Sequence, residues 1–257
     1  MCPRSSLSPL RAESGSVLHS RKTARDKVSL RSNFSPAVAQ HDLFNLVALA
    51  PLCILNYLNW DYNTLLKGDV KGSWTGEYCN VLFVYTVLYF IIDLVWVCNV
   101  KGCVKSPGTI IAHHNATLLY LLVPVLSPRQ WWCMGACLSV EINTWFLIAR
   151  RYFTKQGNLV WVLSLPPSFS IRIKIISIMF YITWIILRCI LYPVLMYIFA
   201  LDYLERWTEV GSPVNILVIS VSFQFLFCLL NLKWTSDLLL SKIRAWKSGT
   251  VVSSKGL

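Results

Sequence analysis

Long apolar stretches separated by short polar segments recur along the chain from residue 43 onward. A helix rises about 1.5 Å per residue, so roughly 20 apolar residues are needed to cross the hydrocarbon core of a bilayer. Six stretches come near that length: 43–60, 79–100, 109–126, 130–149, 173–200 and 213–232. The pattern predicts an all-α, polytopic membrane protein with about six transmembrane helices.

The residues outside these stretches are mainly polar, and those at both ends of the chain are basic. Residues 1–41 are rich in Ser and Arg and show no apolar periodicity, which predicts a disordered tail. We therefore divide the chain into a basic tail at 1–41, a six-span domain at 42–241 and a basic C-terminal tail at 242–257. The first tail resembles an organelle transit peptide in composition, and a solvated segment beside an anionic leaflet is the other interpretation.

Basic residues alternate from loop to loop, and this alternation predicts the orientation. Of the 24 Lys and Arg residues, most lie in the two tails and near residues 101–105 and 150–174. The loops on the other side carry Lys67, Lys71, Arg129 and Arg206. Since cytosolic loops are enriched in Lys and Arg, both termini are predicted to be cytosolic. The net charge of +12 then faces anionic headgroups, and nucleic acid is excluded as a partner.

Composition agrees with a membrane protein and excludes several enzyme classes. The chain is 55% hydrophobic and 14% charged, with a mean hydropathy of +0.54, which is too apolar for one water-soluble domain. Its nine cysteines have no metal-binding spacing. Four histidines are too few for a membrane di-iron enzyme or a typical zinc hydrolase, so no metal and no cofactor are predicted. The chain has no Gly-x-Ser-x-Gly motif, so the sequence does not support a serine hydrolase.

A few ionisable residues interrupt the predicted spans. Such residues are costly in hydrocarbon and usually mark a functional site. Asp93, the adjacent His113 and His114, and Glu141 are all predicted at roughly 7–12 Å from one membrane face, counted at about 1.5 Å per residue. Arg188 is deeper, on a stripe with Tyr181, Trp184 and Tyr192 at helical spacing. We expect these side chains to line a cavity that opens to the cytosol. A helix-fastening ion pair of Arg188 with Asp93 or Glu141, and a purely structural role of both histidines, are the alternatives.

The order of these residues resembles the TLC-domain family of ceramide synthases and related lipid proteins. The resemblance rests on Asp93, the pair His113-His114, the segment Glu141-Ile142-Asn143-Thr144-Trp145-Phe146 with Arg150, and Asn231-Leu232-Lys233-Trp234, and spans about residues 43–245. It implies a TLC-type bundle of membrane helices and a paired histidine that ceramide synthases need for acyl transfer. No third membrane histidine follows the pair, and the context of Glu141 is more similar to TLC-domain-containing proteins of poorly defined activity.

The cluster has the groups that acyl transfer requires. We assign His113, His114, Asp93 and Glu141 as candidate catalytic residues, because an imidazole oriented by a carboxylate can move a proton or attack a thioester. The candidate substrate-binding residues are Arg188, Asn143, Arg150 and Tyr192. Cytosolic Lys and Arg side chains would attract the phosphates of a carrier such as coenzyme A. An acyl-CoA-dependent lipid acyltransferase is therefore the leading hypothesis, with acyl-CoA as co-substrate.

The alternative is a non-enzymatic membrane protein that binds lipids or escorts cargo. In both cases the expected partners are membrane lipids, while the sequence leaves open whether the chain forms a homodimer. The expected location is the endoplasmic reticulum membrane, and another organelle membrane is the second interpretation. A histidine–carboxylate group that lines an open cavity would favour the enzyme, and one sealed into ion pairs would favour the alternative.

Overall fold

The computed structural model describes residues 36–156 and 171–254, and in this part of the chain all regular structure is helical. Six helical segments are long and apolar enough to span a membrane. They are Pro36–Leu58, Cys79–Asn99, Pro107–Leu126, Pro128–Phe153, Ile171–Val210 and Leu217–Lys247, called spans one to six below. The all-α, six-span prediction is therefore confirmed. The disorder predicted for the N-terminal tail concerns residues that lie mostly outside the described ranges.

Several spans are built from more than one helix. The α-helices are α1 (Pro36–Leu58), α2 (Tyr62–Leu66), α3 (Cys79–Asn99), α4 (Pro107–Tyr120), α5 (Leu122–Leu126), α6 (Trp131–Leu138), α7 (Glu141–Gln156), α8 (Ile171–Thr183), α9 (Tyr192–Val210) and α10 (Leu217–Ser254). A π-helix, Trp184–Leu191, joins α8 to α9. Short 3₁₀ turns occupy Gly72–Trp74 and Pro128–Gln130.

Span one begins earlier than the apolar pattern predicts. Helix α1 starts at Pro36, where a proline fits because the first turn of a helix lacks N–H partners in any case. His41 and Asp42, which sequence reasoning left at the edge of the tail, are buried inside this helix. Polar residues at the start of the span lowered its apparent hydropathy, although they face other helices rather than water.

Span five is longer than predicted and changes its helical form in the middle. It continues to Val210 and ends at Gly211, whose positive φ of 71° gives the left-handed cap that favours glycine. The wide π turns lie directly before Pro193, which has no N–H to donate. π segments are frequent at functional sites, and this one carries Arg188.

Span four lies at the centre of the bundle. About 72% of its apolar 18-residue stretch is buried inside the protein, against 28–33% for the corresponding stretches of the other spans. Helix α6 contributes residues such as Trp132, Cys133 and Ala136 to one apolar core cluster and Met134 and Leu138 to a second. The other spans keep large apolar side chains exposed, as lipid-facing surfaces require. Helix α7 thus places Glu141, Asn143 and Thr144 in the interior, next to spans one, five and six.

Candidate functional site

A cavity of about 420 Å³ lies at the end of the bundle where residues 100–106 connect α3 to α4. We call this the α3–α4 end. The cavity wall includes exposed Lys105 and Lys233, so the cavity opens at that end, and buried His114, Glu141 and Arg188 lie further in. Which side of the membrane the α3–α4 end faces stays a prediction from the distribution of Lys and Arg.

Asp93 on α3 is the centre of a buried polar network that joins three spans. Its Oδ1 lies 2.8 Å from His41 Nε2, and its Oδ2 lies 2.5 Å from His114 Nε2. Asn45 Nδ2 donates to Oδ1 at 3.1 Å. All four side chains are buried. Because an ionised carboxylate only accepts hydrogen bonds, both imidazoles present Nε2–H to Asp93.

The spacing of residues along α1 and α3 explains how the network closes. His41 and Asn45 stand at i and i+4 and therefore share one face of α1. Tyr89 stands four residues before Asp93 on α3, and its hydroxyl donates to Asn45 Oδ1 at 2.6 Å. The Asn45 amide thus accepts from one residue of α3 and donates to another. The rotation of α1 against α3 is fixed by these bonds.

The two adjacent histidines point in different directions, because neighbouring residues on an α-helix are turned by about 100°. The His113 ring lies edge-on to Phe90, Phe227 and Trp234, with centroid distances of 6.4, 5.6 and 5.9 Å. Both rings line the cavity, and only His114 contacts Asp93. Among the described residues, neither His113 Nδ1 nor His114 Nδ1 has a hydrogen-bond partner. Each histidine therefore keeps one buried ring nitrogen without a hydrogen bond from the described residues.

Arg188 is buried in the π segment and held by neutral groups. Its Nε donates to Asn143 Oδ1 at 2.7 Å, and its two terminal nitrogens donate to Asn231 Oδ1 at 2.6 Å and Thr144 Oγ1 at 3.1 Å. The guanidinium lies 5.1 Å from the ring centroids of both Trp184 and Trp234.

The ion pair considered for Arg188 from sequence is not formed. Within the described residues, no carboxylate oxygen lies within 4.0 Å of its guanidinium. The side-chain amides of Asn143 on α7 and Asn231 on α10 accept its hydrogen bonds instead of Asp93 or Glu141. Arg188 is therefore a buried cation on the cavity wall without a contacting carboxylate.

The remaining predicted site residues divide into two groups. Glu141 and Tyr192 line the cavity, and the Tyr192 hydroxyl donates to the Cys137 carbonyl at 3.0 Å. Asn143 and Arg150 lie outside the cavity wall that the described residues form. Asn143 positions Arg188, and the Arg150 guanidinium lies over the rings of Phe180 and Tyr181. A direct substrate contact is thus favoured for Tyr192 and Glu141 rather than for Asn143 and Arg150.

Sequence reasoning missed several residues of the site. His41 and Asn45 complete the Asp93 network, and Asn231 holds Arg188. Asp42, which is fully buried, pairs with Arg151 through both carboxylate oxygens, with Arg151 Nε at 2.8 Å from Oδ2. The spacing of His41 and Asn45 at i and i+4 was the available signal. It was obscured because His41 falls in the predicted tail at 1–41 and Asn45 in the predicted span at 43–60.

Loss of the Arg151–Asp42 pair is expected to weaken the bundle. Arg151→Gln leaves the buried Asp42 carboxylate without its cation, which should cost about 1–3 kcal/mol, at the low end because Arg151 is partly exposed. Thermal unfolding of the detergent-purified protein measures the effect. Arg172→Gln, which alters an exposed arginine on span five, is the control. Adding Asp42→Asn should restore part of the loss, and an unchanged melting temperature for Arg151→Gln would contradict the pair's role.

The described residues contain no group of three or more His, Cys, Asp or Glu side chains arranged to hold a metal ion. In the Asp93 network each imidazole uses its Nε2 for a separate carboxylate oxygen. The two nitrogens therefore bracket the carboxylate and do not converge on one point. The chemistry that this arrangement supports is proton transfer at an oriented imidazole.

One comparison with known proteins gives a family for this chain. Residues 42–240 match the TLC domain. Neither the search of curated proteins nor that of solved structures gave a match. The matched range contains all six predicted spans and every residue of the Asp93 network except His41. Together with the six membrane-spanning helices, the match supports an integral membrane protein related to lipids, and the chain belongs to the TLC-domain family.

Proposed function

We propose that the protein is a lipid acyltransferase that moves an acyl group from acyl-CoA to a hydroxyl or amine of a membrane lipid. The observation that carries the proposal is the His114–Asp93 pair on the wall of an open cavity. Asp93 holds His114 in the tautomer that has a proton on Nε2. The lone pair of His114 Nδ1, which has no partner in the described residues, is then available as a base.

The reaction follows from that tautomer. The oxygen or nitrogen of the acceptor lipid attacks the thioester carbonyl, and His114 Nδ1 takes the proton from that oxygen or nitrogen. The carbon–sulfur bond breaks, and the proton passes from His114 to the leaving thiolate. The products are the acylated lipid and the free thiol. Asp93 stabilises the transient imidazolium through the 2.5 Å contact with Nε2.

The cavity suits a donor with an apolar chain and a charged carrier. Phe90, Leu147 and Leu230 give it apolar walls. At its mouth, Lys105 and Lys233 supply positive charge for phosphates. In this proposal the α3–α4 end faces the cytosol, where coenzyme A thioesters are available, and the membrane is that of the endoplasmic reticulum. Protease protection of tags at both termini in isolated microsomes tests the orientation.

A second candidate function is lipid binding or cargo escort without catalysis. It is favoured by the Asp93 network itself, because a carboxylate that accepts from two imidazoles and an amide on neighbouring spans also serves as a helix fastener. In that case His41 and His114 have equivalent roles. The enzyme proposal gives them different ones, since His114 carries the base and His41 only positions Asp93.

This difference defines the test. We expect a comparative lipidomic profile of cells to show an acylated lipid class that wild-type protein raises and that His114→Asn lowers by about 10²-fold, the range of general-base catalysis. His41→Asn, which also removes one imidazole from Asp93, is the matched control and should retain most of the product. Protein level and melting temperature are matched for each variant. Equal profiles for all three proteins, or equal losses in both variants, would favour the non-enzymatic function.

A further inference from the structure

A second cavity, of about 510 Å³, lies at the end of the bundle opposite the α3–α4 end. It is formed by the turn Pro128–Gln130, the last turns of α9 and the first residues of α10. Spans three and four meet there, and spans five and six end and begin there. The cavity is therefore at the level where a phospholipid headgroup meets the hydrocarbon core.

The wall of this cavity carries both signs of charge. Its basic residues are Lys71, Arg129 and Arg206, and its acidic residues are Asp202, Glu205 and Glu209. Lys71 pairs with the buried Asp202. Arg206 and Arg129 lie 2.7 and 3.7 Å from Glu209. Within the described residues, the Glu205 carboxylate has no ion-pair partner, so it is the anionic position left for a ligand.

A buried hydrogen-bond donor lies on the same wall. Trp132 is 3% exposed, and its Nε1 has no acceptor among the described residues. Leaving such a group unpaired costs about 1–3 kcal/mol, so a ligand that supplies an acceptor gains that amount. Lys71 Nζ is 5.9 Å from the Trp132 ring centroid, so the Lys71–Asp202 pair lies on the same wall as the donor. A ligand group that accepts hydrogen bonds and can contact the Lys71 ammonium therefore fits this part of the cavity.

We propose that this cavity binds a phospholipid with a zwitterionic headgroup. The phosphate accepts a hydrogen bond from Trp132 Nε1 beside Lys71, and the ammonium group lies against Glu205. A headgroup with a phosphate alone leaves Glu205 without a partner and near like charge. A neutral diacylglycerol offers no charged acceptor to Trp132. This site is independent of the acyl transfer proposed for the histidine cavity.

The test uses the full chain purified in detergent and titrated with short-chain lipids, with binding counted by native mass spectrometry. The probes are dihexanoyl phosphatidylcholine, dihexanoyl phosphatidylglycerol and dihexanoylglycerol. Wild-type protein should bind the first most tightly. Glu205→Gln should weaken phosphatidylcholine about threefold to tenfold and leave phosphatidylglycerol unchanged or tighter. Glu205 is exposed, so this variant is expected to fold.

Two further variants separate the phosphate contact from general damage. Trp132→Phe keeps the ring and removes the N–H, and it should weaken both phospholipids about threefold to tenfold while the melting temperature shows that the protein is folded. Glu77→Gln, an exposed carboxylate near the same end, should change nothing. The proposal is overturned if Glu205→Gln binds phosphatidylcholine as tightly as wild-type protein does. It is also overturned if wild-type protein binds the three probes equally. The first of these results would place the bound lipid elsewhere, for instance in the histidine cavity.

Discussion

Asp93→Ala is expected to remove most of the folded protein from the membrane. The change deprives His41, His114 and Asn45 of their common acceptor inside the bundle. Asn45 Nδ2 keeps its bond to the His41 carbonyl, at 3.1 Å, so the two imidazole N–H groups are the donors left unpaired. A single interhelical hydrogen bond in a membrane is worth only about 0.6 kcal/mol on average, but an unpaired buried polar group costs about 1–3 kcal/mol. The total of about 2–6 kcal/mol is a large share of a stability that is typically about 5–15 kcal/mol.

Size-exclusion profiles and melting curves of the solubilised variant measure this loss. Asp237→Ala, which removes an exposed carboxylate from the wall of the same cavity, is the matched control and should behave like wild-type protein. Asp93→Asn keeps one acceptor oxygen but offers an N–H₂ to the other imidazole. It should fold better than Asp93→Ala and still lose about 10²–10⁴-fold in acyl transfer, because His114 is no longer held in one tautomer. If Asp93→Ala is as stable as Asp237→Ala, the network does not hold the bundle together.

The spans and the centre of the site follow from the sequence for a simple reason. Length and hydropathy decide whether a helix crosses a bilayer, and an ionisable residue inside such a stretch is conspicuous. Asp93, His114 and Glu141 were found in this way, and they line one cavity. Both quantities are local, so they can be read along the chain without knowing how the helices pack.

His41 and Asn45 could not be found in this way. At the start of α1 two polar residues, His41 and Asp42, follow each other, and hydropathy therefore begins the first span after them, at residue 43. What makes them part of the site is their burial against α3 and α7, which is a property of the packed bundle. A search for i, i+4 polar pairs near the ends of apolar stretches would recover His41 and Asn45.

The hydrogen-bond partners of Arg188 also could not be predicted from the sequence. Depth in the membrane places Asp93 and Glu141 at one level and Arg188 deeper, but it does not give the rotation of each helix. The π segment changes that rotation, because its turns hold more residues than those of an α-helix. Trp184, Arg188 and Tyr192 consequently line the cavity, whereas Tyr181 packs with Arg150 and Lys242 outside it. The predicted stripe is therefore split between two environments.

Arg188→Ala is expected to be nearly as damaging as Asp93→Ala, for a different reason. It removes three hydrogen bonds to Asn143, Asn231 and Thr144 and opens a gap between Trp184 and Trp234. The unpaired amides and the gap together should cost about 2–4 kcal/mol. Melting of the solubilised variant against Cys189→Ala, a change at an exposed neighbour in the same π segment, measures the loss.

Arg188→Lys then separates the two roles that a buried cation on the cavity wall can have. An ammonium keeps the charge but cannot reproduce the planar fork that reaches three acceptors or stack between two indole rings. If Arg188 acts only as a fastener, Arg188→Lys should lose about as much stability as Arg188→Ala. At matched protein level, both variants should then lack the lipid product. If the charge also attracts an anionic group of the substrate, Arg188→Lys should retain part of the product that Arg188→Ala loses. A lysine variant with full wild-type stability would contradict the fastener role, because the three acceptors would then be dispensable.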